Sequence, residues 1–174
     1  MCGVPVYNMS SLDSVSVSHI MSAPVRTVKE NDTIQNACKT MVKDDIGSVI
    51  IVNQSNEPSG IITERDVVRH LAEKPISFQA QTSQIMSKPI VTIHPNGSLR
   101  DALHTMQARD IRRLVVVGDD GKNMIGILTD KDIFKFISKN ESVASSFVGE
   151  QTIGREVAER FSSNLLDDMI HRRV

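Results

Sequence analysis

Residues 20–71 open with IMSAPVRTV and run on to GIITERD, and residues 85–137 open with IMSKPIVTI and run on to GILTDKD. The chain therefore carries one unit twice. The copies keep an offset of 65 residues from Ile20 to about Val52, where a turn one residue longer in the second copy makes it 66. Met21/Met86, Ser22/Ser87, Pro24/Pro89, Ala37/Ala102, Met41/Met106, Asp45/Asp110, Ile46/Ile111, Gly60/Gly126, Thr63/Thr129 and Asp66/Asp132 all agree. A self-similar period marks a structural unit that buries its apolar face against a neighbour. Each copy has only about 55 residues, a size that buries roughly 60% of its unfolded surface. Two copies packed face to face share a core, so the pair reads as one folding module.

Composition excludes several classes. The 174 residues are 40% hydrophobic and 24% charged with a net charge of −1, as in an ordinary soluble domain. Aromatics reach only 3%, with no Trp and one Tyr, too few for the stacking platforms of single-stranded nucleic-acid binders. The near-neutral charge also lacks the positive field of such a protein. Cys2 and Cys38 belong to no metal-ligand spacing, and Cys38 reads as a small buried hydrophobe. His19, His70, His94, His104 and His171 share no paired spacing, so neither a metal site nor a nucleophile–base arrangement is indicated. No apolar run reaches the roughly 18–20 residues of a membrane span. The N-terminus has no basic leader before an apolar stretch, so a cytoplasmic setting is expected.

Within each copy the signals read strand, helix, strand, strand, helix. Residues 25–28 and 90–93 are short extended pieces after Pro24 and Pro89. Asn31-Asp32-Thr33 and Pro95-Asn96-Gly97-Ser98 then supply turn and cap residues ahead of a helix. That helix places Ile34, Ala37, Cys38, Met41 and Val42 on one apolar face, and its counterpart places Leu99, Ala102, Leu103 and Met106. The runs SVIIV at 48–52 and LVVV at 114–117 read as buried strands. Polar tracts at 53–59 and 118–123 lead into second strands that end at Thr63 and Thr129. GDDGK at 118–122 joins two strands and lacks the Gly-x4-Gly-Lys-Ser/Thr spacing, so it predicts a hairpin turn rather than a phosphate loop. Helices follow from Glu64 and Asp130, carrying Val67, Val68, Leu71 and Ile133, Phe134, Ile137.

The candidate chemistry sits where the last strand meets that helix. Both copies show Gly-Ile-x-Thr-x-x-Asp: Gly60, Ile61, Thr63, Asp66 and Gly126, Ile127, Thr129, Asp132. Thr-x-x-Asp before an apolar helix is a capping pattern, worth about 0.5–2 kcal/mol. The same geometry suits a ligand. A helix N-terminus offers amides and a positive dipole end to anions, a nearby carboxylate can accept ribose hydroxyls, and a glycine allows close backbone approach. The two readings are compatible.

The doubled order of IM-S-x-P, apolar helix, Asp-Ile before a hydrophobic strand, and Gly-Ile-x-Thr-x-x-Asp resembles a tandem pair of cystathionine-β-synthase (CBS) domains, the Bateman module. The resemblance covers residues 15–140. It implies an α+β fold of two β-α-β-β-α repeats, packed sheet to sheet about a pseudo-twofold axis. It also implies one or two clefts for adenosine-containing ligands, usually AMP, ADP or ATP and sometimes S-adenosylmethionine. Such modules sense a ligand, including cellular energy state, signal to a partner protein, and commonly form homodimers.

Carried over by position, Asp66 and Asp132 hold ribose hydroxyls with Thr63 and Thr129 beside them, and Ile61 and Ile127 line the ligand. Arg65 and Lys131 either reach phosphate or stay solvated. Ile46-Gly47-Ser48 and Ile111-Arg112-Arg113 correspond to positions that meet base or phosphates, as do Ser22-Ala23-Pro24 and Ser87-Lys88-Pro89. The copies differ where Gly47-Ser48 stands against Arg112-Arg113. Arginine presents a fixed fork suited to phosphate oxygens, so the second cleft is expected to be the better nucleotide site, the first having less charge to offer.

Two segments lie outside the resemblance. Residues 1–14 are Ser-rich and expected to be mobile; their Met1-Cys2-Gly3 start is also found in glutamine amidotransferases, but nothing downstream supports that chemistry. Residues 141–174 are expected to form a linker and a C-terminal amphipathic helix, since Ile153, Val157, Phe161, Leu165 and Met169 stand at i, i+4 spacing. That stripe packs on its own module, a dimer mate or a partner, while acidic residues balance the basic ones and disfavour a membrane surface. The expected domains are therefore CBS repeats at 15–75 and 76–140. The expected function is non-catalytic adenine-nucleotide binding, against the alternative of a purely structural interaction module.

Overall fold

The computed structural model describes residues 12–73, 77–140 and 143. Among these the first repeat runs β1 (Thr27–Lys29), α1 (Ile34–Asp44), β2 (Ser48–Val52), β3 (Pro58–Thr63), α2 (Glu64–Glu73). The second runs β4 (Thr92–Ile93), α3 (Leu99–Ala108), β5 (Arg113–Val117), β6 (Met124–Thr129), α4 (Asp130–Ile137). The strands form two three-stranded sheets, β1-β2-β3 and β4-β5-β6, giving an α+β fold. β1 lies parallel to β2 with Thr27 opposite Ile50, and β2 and β3 form an antiparallel hairpin with Ser48 opposite Thr63.

Local chemistry explains the element ends. Thr33 starts α1 by accepting the Asn36 N–H at 3.2 Å, and Ser98 with Asp101 makes a reciprocal capping box on α3. Both helices stop at the repeated Asp-Ile. Asp45 and Asp110 turn left-handed at φ 52° and 50°, a conformation aspartate tolerates better than most residues. The following Ile46 and Ile111 then donate back to the carbonyls of Met41 and Met106, each at 3.0 Å.

The continuous apolar run of β2 is buried on both faces. Val49 and Ile51 pack with Ile34, Ala37 and Met41 of α1, while Ile50 and Val52 pack with Val115 and Val117 of β5. Alternate residues of a strand point to opposite faces, so two cores require an unbroken hydrophobic strand. Val25 and Ile90 pack into this second cluster rather than lying in strands, so β1 and β4 begin two residues later than Pro24 and Pro89 suggested. The α1 face is also narrower than its spacing predicted: Val42 is 83% exposed, because it lies about 100° around the helix from the buried Met41. Val68 and Leu71 of α2 are likewise exposed.

The residues leading into each repeat pack against the other repeat. Ahead of β4, Thr82 and Ser83 donate their N–H groups to Asp32 and Glu30, and Ile34 N–H donates to Ala80. Ahead of β1, Val17 and Ser18 donate to Gly97 and Pro95, and Leu99 N–H donates to Val15. These are the same bonds 65 residues apart. Leu12 is fully buried and Asp13 pairs with Arg100 at 2.7 Å, so structure begins earlier than the expected mobile segment allowed. The described residues divide into two compact units, 22–92 with 115–127, and 12–21 with 93–114 and 128–140. The expected C-terminal helix and Cys2 lie outside the described residues.

Candidate functional site

β3 and β6 each deliver a threonine to the start of the next helix. The Thr63 N–H and hydroxyl both donate to Asp66 Oδ2, at 2.9 and 2.7 Å, and the Asp66 N–H donates to Thr63 Oγ1 at 3.3 Å. Thr129 and Asp132 repeat the motif, with N–H to Oδ2 at 2.9 Å and the return bond at 3.2 Å. Both pairs are therefore helix caps. In the first site the cap engages one carboxylate oxygen, and the other, Oδ1, lies 3.4 Å from the Ser87 hydroxyl.

Ser87 belongs to the lead-in of the second repeat. Ile61 N–H donates to Ser87 O at 3.1 Å and Ser87 N–H donates to Ile61 O at 2.9 Å, so this segment extends the edge of β3. Ser22 and Ile127 make the matching pair at 2.8 and 3.0 Å. Next to Ser87, the Met86 side chain lies over Gly60, and a Cβ there would sit 2.6 Å from its sulfur. The close approach that Gly60 allows is thus made by the Met86 thioether. Sequence reasoning grouped Ser87 with Lys88 and missed its carboxylate neighbour; the Ser22/Ser87 match in the repeat was the available signal. Lys88, one residue on, is exposed.

The residues ahead of β2 and β5 reach the same helix starts. Glu64 N–H donates to Gly47 O at 3.3 Å, and Asp130 N–H donates to Arg112 O at 3.1 Å. Arg112 is exposed, with Nε 4.0 Å from Asp130 Oδ2, and half-buried Arg113 opens β5. Arg65, Lys131 and Ala23 are exposed. Ile46 packs on the α1 core cluster, and Ile61 and Ile127 pack on the Ile50–Val115 cluster, so these three side chains are engaged in the core.

The GDDGK tract is a hairpin turn, closed by Gly118 N–H to Asn123 O at 2.9 Å. Asp120 Oδ1 accepts the N–H groups of Asn123 and Lys122 at 2.8 and 3.0 Å, which hold its carboxyl below the ordinary aspartate value. Those turn amides already serve an anion of the chain itself. No helix among the described residues is long and apolar enough to cross a membrane.

Residues 17–73 and 83–139 match the CBS domain family. An uncharacterized protein of Methanopyrus kandleri is 37% identical over 123 residues, which cover 70% of this chain and 62% of that protein. The chain thus spans less than two thirds of that relative's length. The CBS domain-containing protein YhcV of Bacillus subtilis is 34% identical over 131 residues, 75% of this chain and 91% of YhcV. Among solved structures, the CBS domain pair of protein MJ0100 was determined in complex with 5′-methylthioadenosine and S-adenosyl-L-methionine. It is 28% identical with a TM-score of 0.65, covering 72% of this chain and 97% of that one.

Proposed function

The chain belongs to the CBS domain family, and we propose that it is a non-catalytic regulatory module binding adenosine-containing ligands in clefts between its two repeats. AMP, ADP and ATP are the ligands proposed first, with S-adenosylmethionine a further one. The module is placed at residues 15–140, with repeats at 15–75 and 76–140. It signals ligand occupancy to a partner protein, as a cytoplasmic homodimer.

One observation carries this reading. Oδ1 of Asp66 is left by the cap facing a serine hydroxyl at 3.4 Å, longer than an ordinary hydrogen bond to a carboxylate. A ribose hydroxyl entering there donates to Oδ1 at better length while the cap stays intact. The adjoining start of α2 favours an anion through its dipole. The adenosyl ligands of the MJ0100 pair support the nucleoside part of the assignment. Arg112 and Arg113 beside the α4 start support the second site as the stronger one for phosphate.

A second reading has an observation of its own. Both Thr–Asp pairs are complete caps, so they have a structural role in an interaction module that binds no nucleotide. Thermal unfolding with AMP, ADP, ATP, S-adenosylmethionine and NAD separates the two. A ligand at 100 times its dissociation constant adds about 2.7 kcal/mol, whereas the structural reading predicts no shift. Calorimetry then locates the site: Asp132→Ala and Arg113→Ala are each expected to weaken AMP or ATP binding. Full affinity in both variants removes the second site from the function.

A further inference from the structure

At the start of α4 the backbone donors are already taken. Asp130 N–H donates to Arg112 O at 3.1 Å, Lys131 N–H to Asp130 Oδ1 at 2.9 Å, and Asp132 N–H to Thr129 Oγ1 at 3.2 Å. A phosphate arriving here must therefore be held by side-chain cations. Arg112 faces a competing anion, since Asp130 Oδ2 lies 4.0 Å from its Nε. The same carboxylate occupies the anion position of the helix end through its bond to Lys131 N–H. The first repeat has no such arrangement, because Gly47 stands at the Arg112 position and offers no side chain to Glu64.

We propose that Asp130 sets how far the second site favours phosphorylated over unphosphorylated adenosine ligands, by competing with phosphate for Arg112. The inference rests on the ligand-binding reading above and names the residue that tunes it. A neutral ribose or base leaves the Arg112–Asp130 pair undisturbed, whereas a phosphate draws the guanidinium away and meets the carboxylate's repulsion. The pair is partly solvated, its side chains 42% and 25% exposed, so water screens the effect to a modest size. Asp130→Asn is the informative change, because its amide oxygen can still accept the Lys131 N–H while the charge is gone.

The test is calorimetry on the full chain carrying Asp66→Ala, so that the first site is silent, with AMP, ATP and adenosine as probes. Asp130→Asn is expected to improve AMP and ATP affinity about two- to fivefold relative to adenosine. Adding Arg112→Gln is expected to erase that gain. Should Asp66→Ala melt below the titration temperature, the same affinity ratio is read in the chain with both sites. An equal change for all three probes, or weaker AMP binding, overturns the role of Asp130 and leaves the ligand reading standing. Binding of none of the three by the unaltered chain overturns the ligand reading, and the role of Asp130 with it.

Discussion

Gly60 and Met86 show how one missing methyl group arranges a site. The thioether occupies the space over Gly60, and the next residue, Ser87, makes two main-chain bonds to Ile61 and points its hydroxyl towards Asp66. A Cβ at position 60 would stand 2.6 Å from the sulfur, 3.0 Å from Cγ and 3.2 Å from Cβ of Met86, so the whole side chain must move. Gly60→Ala is expected to destabilise the protein by about 1–3 kcal/mol, the usual cost of overpacking, read from the urea midpoint. An unchanged midpoint would show that Met86 swings aside freely. Cys38 is only partly buried, not fully as its sequence suggests: it packs against the α1 core cluster, and that partial burial pushes its thiol pKa up.

Among the elements, α3 carries a reciprocal Ser–Asp cap. The Ser98 N–H and hydroxyl both donate to Asp101 Oδ2, at 3.1 and 2.7 Å, and these bonds hold the Asp101 carboxyl below its ordinary value of 3.8. A carboxyl whose pKa is lower folded than unfolded stabilises the fold fully above the unfolded value. That contribution is lost as pH falls through the folded value. Acid titration of stability is therefore expected to lose a component below about pH 3.8 that Asp101→Asn lacks. Identical acid limbs for the two proteins would deny Asp101 this role. The caps were legible in the sequence because each lies within one helical turn, as was β2, whose unbroken apolar run states that both its faces are covered. Val42 was not, since an apolar residue adjacent to a core position reads as core until the helix phase is known. The repeated Asp45/Asp110 was visible as a match, but its left-handed turn emerged only with the backbone.

For the whole molecule, the exchanged lead-ins matter most, and an offset of 65 could not reveal them. A repeat says which residues are equivalent, not whether each packs on its own copy or on the other. Here residues 12–20 complete the second repeat, burying Leu12, Val15, Val17 and Ile20 and bonding to Pro95, Gly97 and Leu99. Residues 78–86 complete the first in the same way, with Thr82 fully buried and its hydroxyl 2.8 Å from Lys29 O. Cutting the chain at 76/77 thus separates each repeat from a part of its own core. For the fragment 77–174, the missing lead-in alone removes four buried apolar side chains at about 1.5–3 kcal/mol each, roughly 6–12 kcal/mol together, and Val115 and Val117 also lose Ile50 and Val52. A small domain has only about 5–15 kcal/mol in all. The fragment alone is expected to show no cooperative thermal transition by circular dichroism. Mixing it with fragment 1–76 is expected to restore one, because each piece then supplies the lead-in the other lacks. A cooperative melt of fragment 77–174 alone, near that of the full chain, would mean that the exchange contributes little and that each repeat folds by itself.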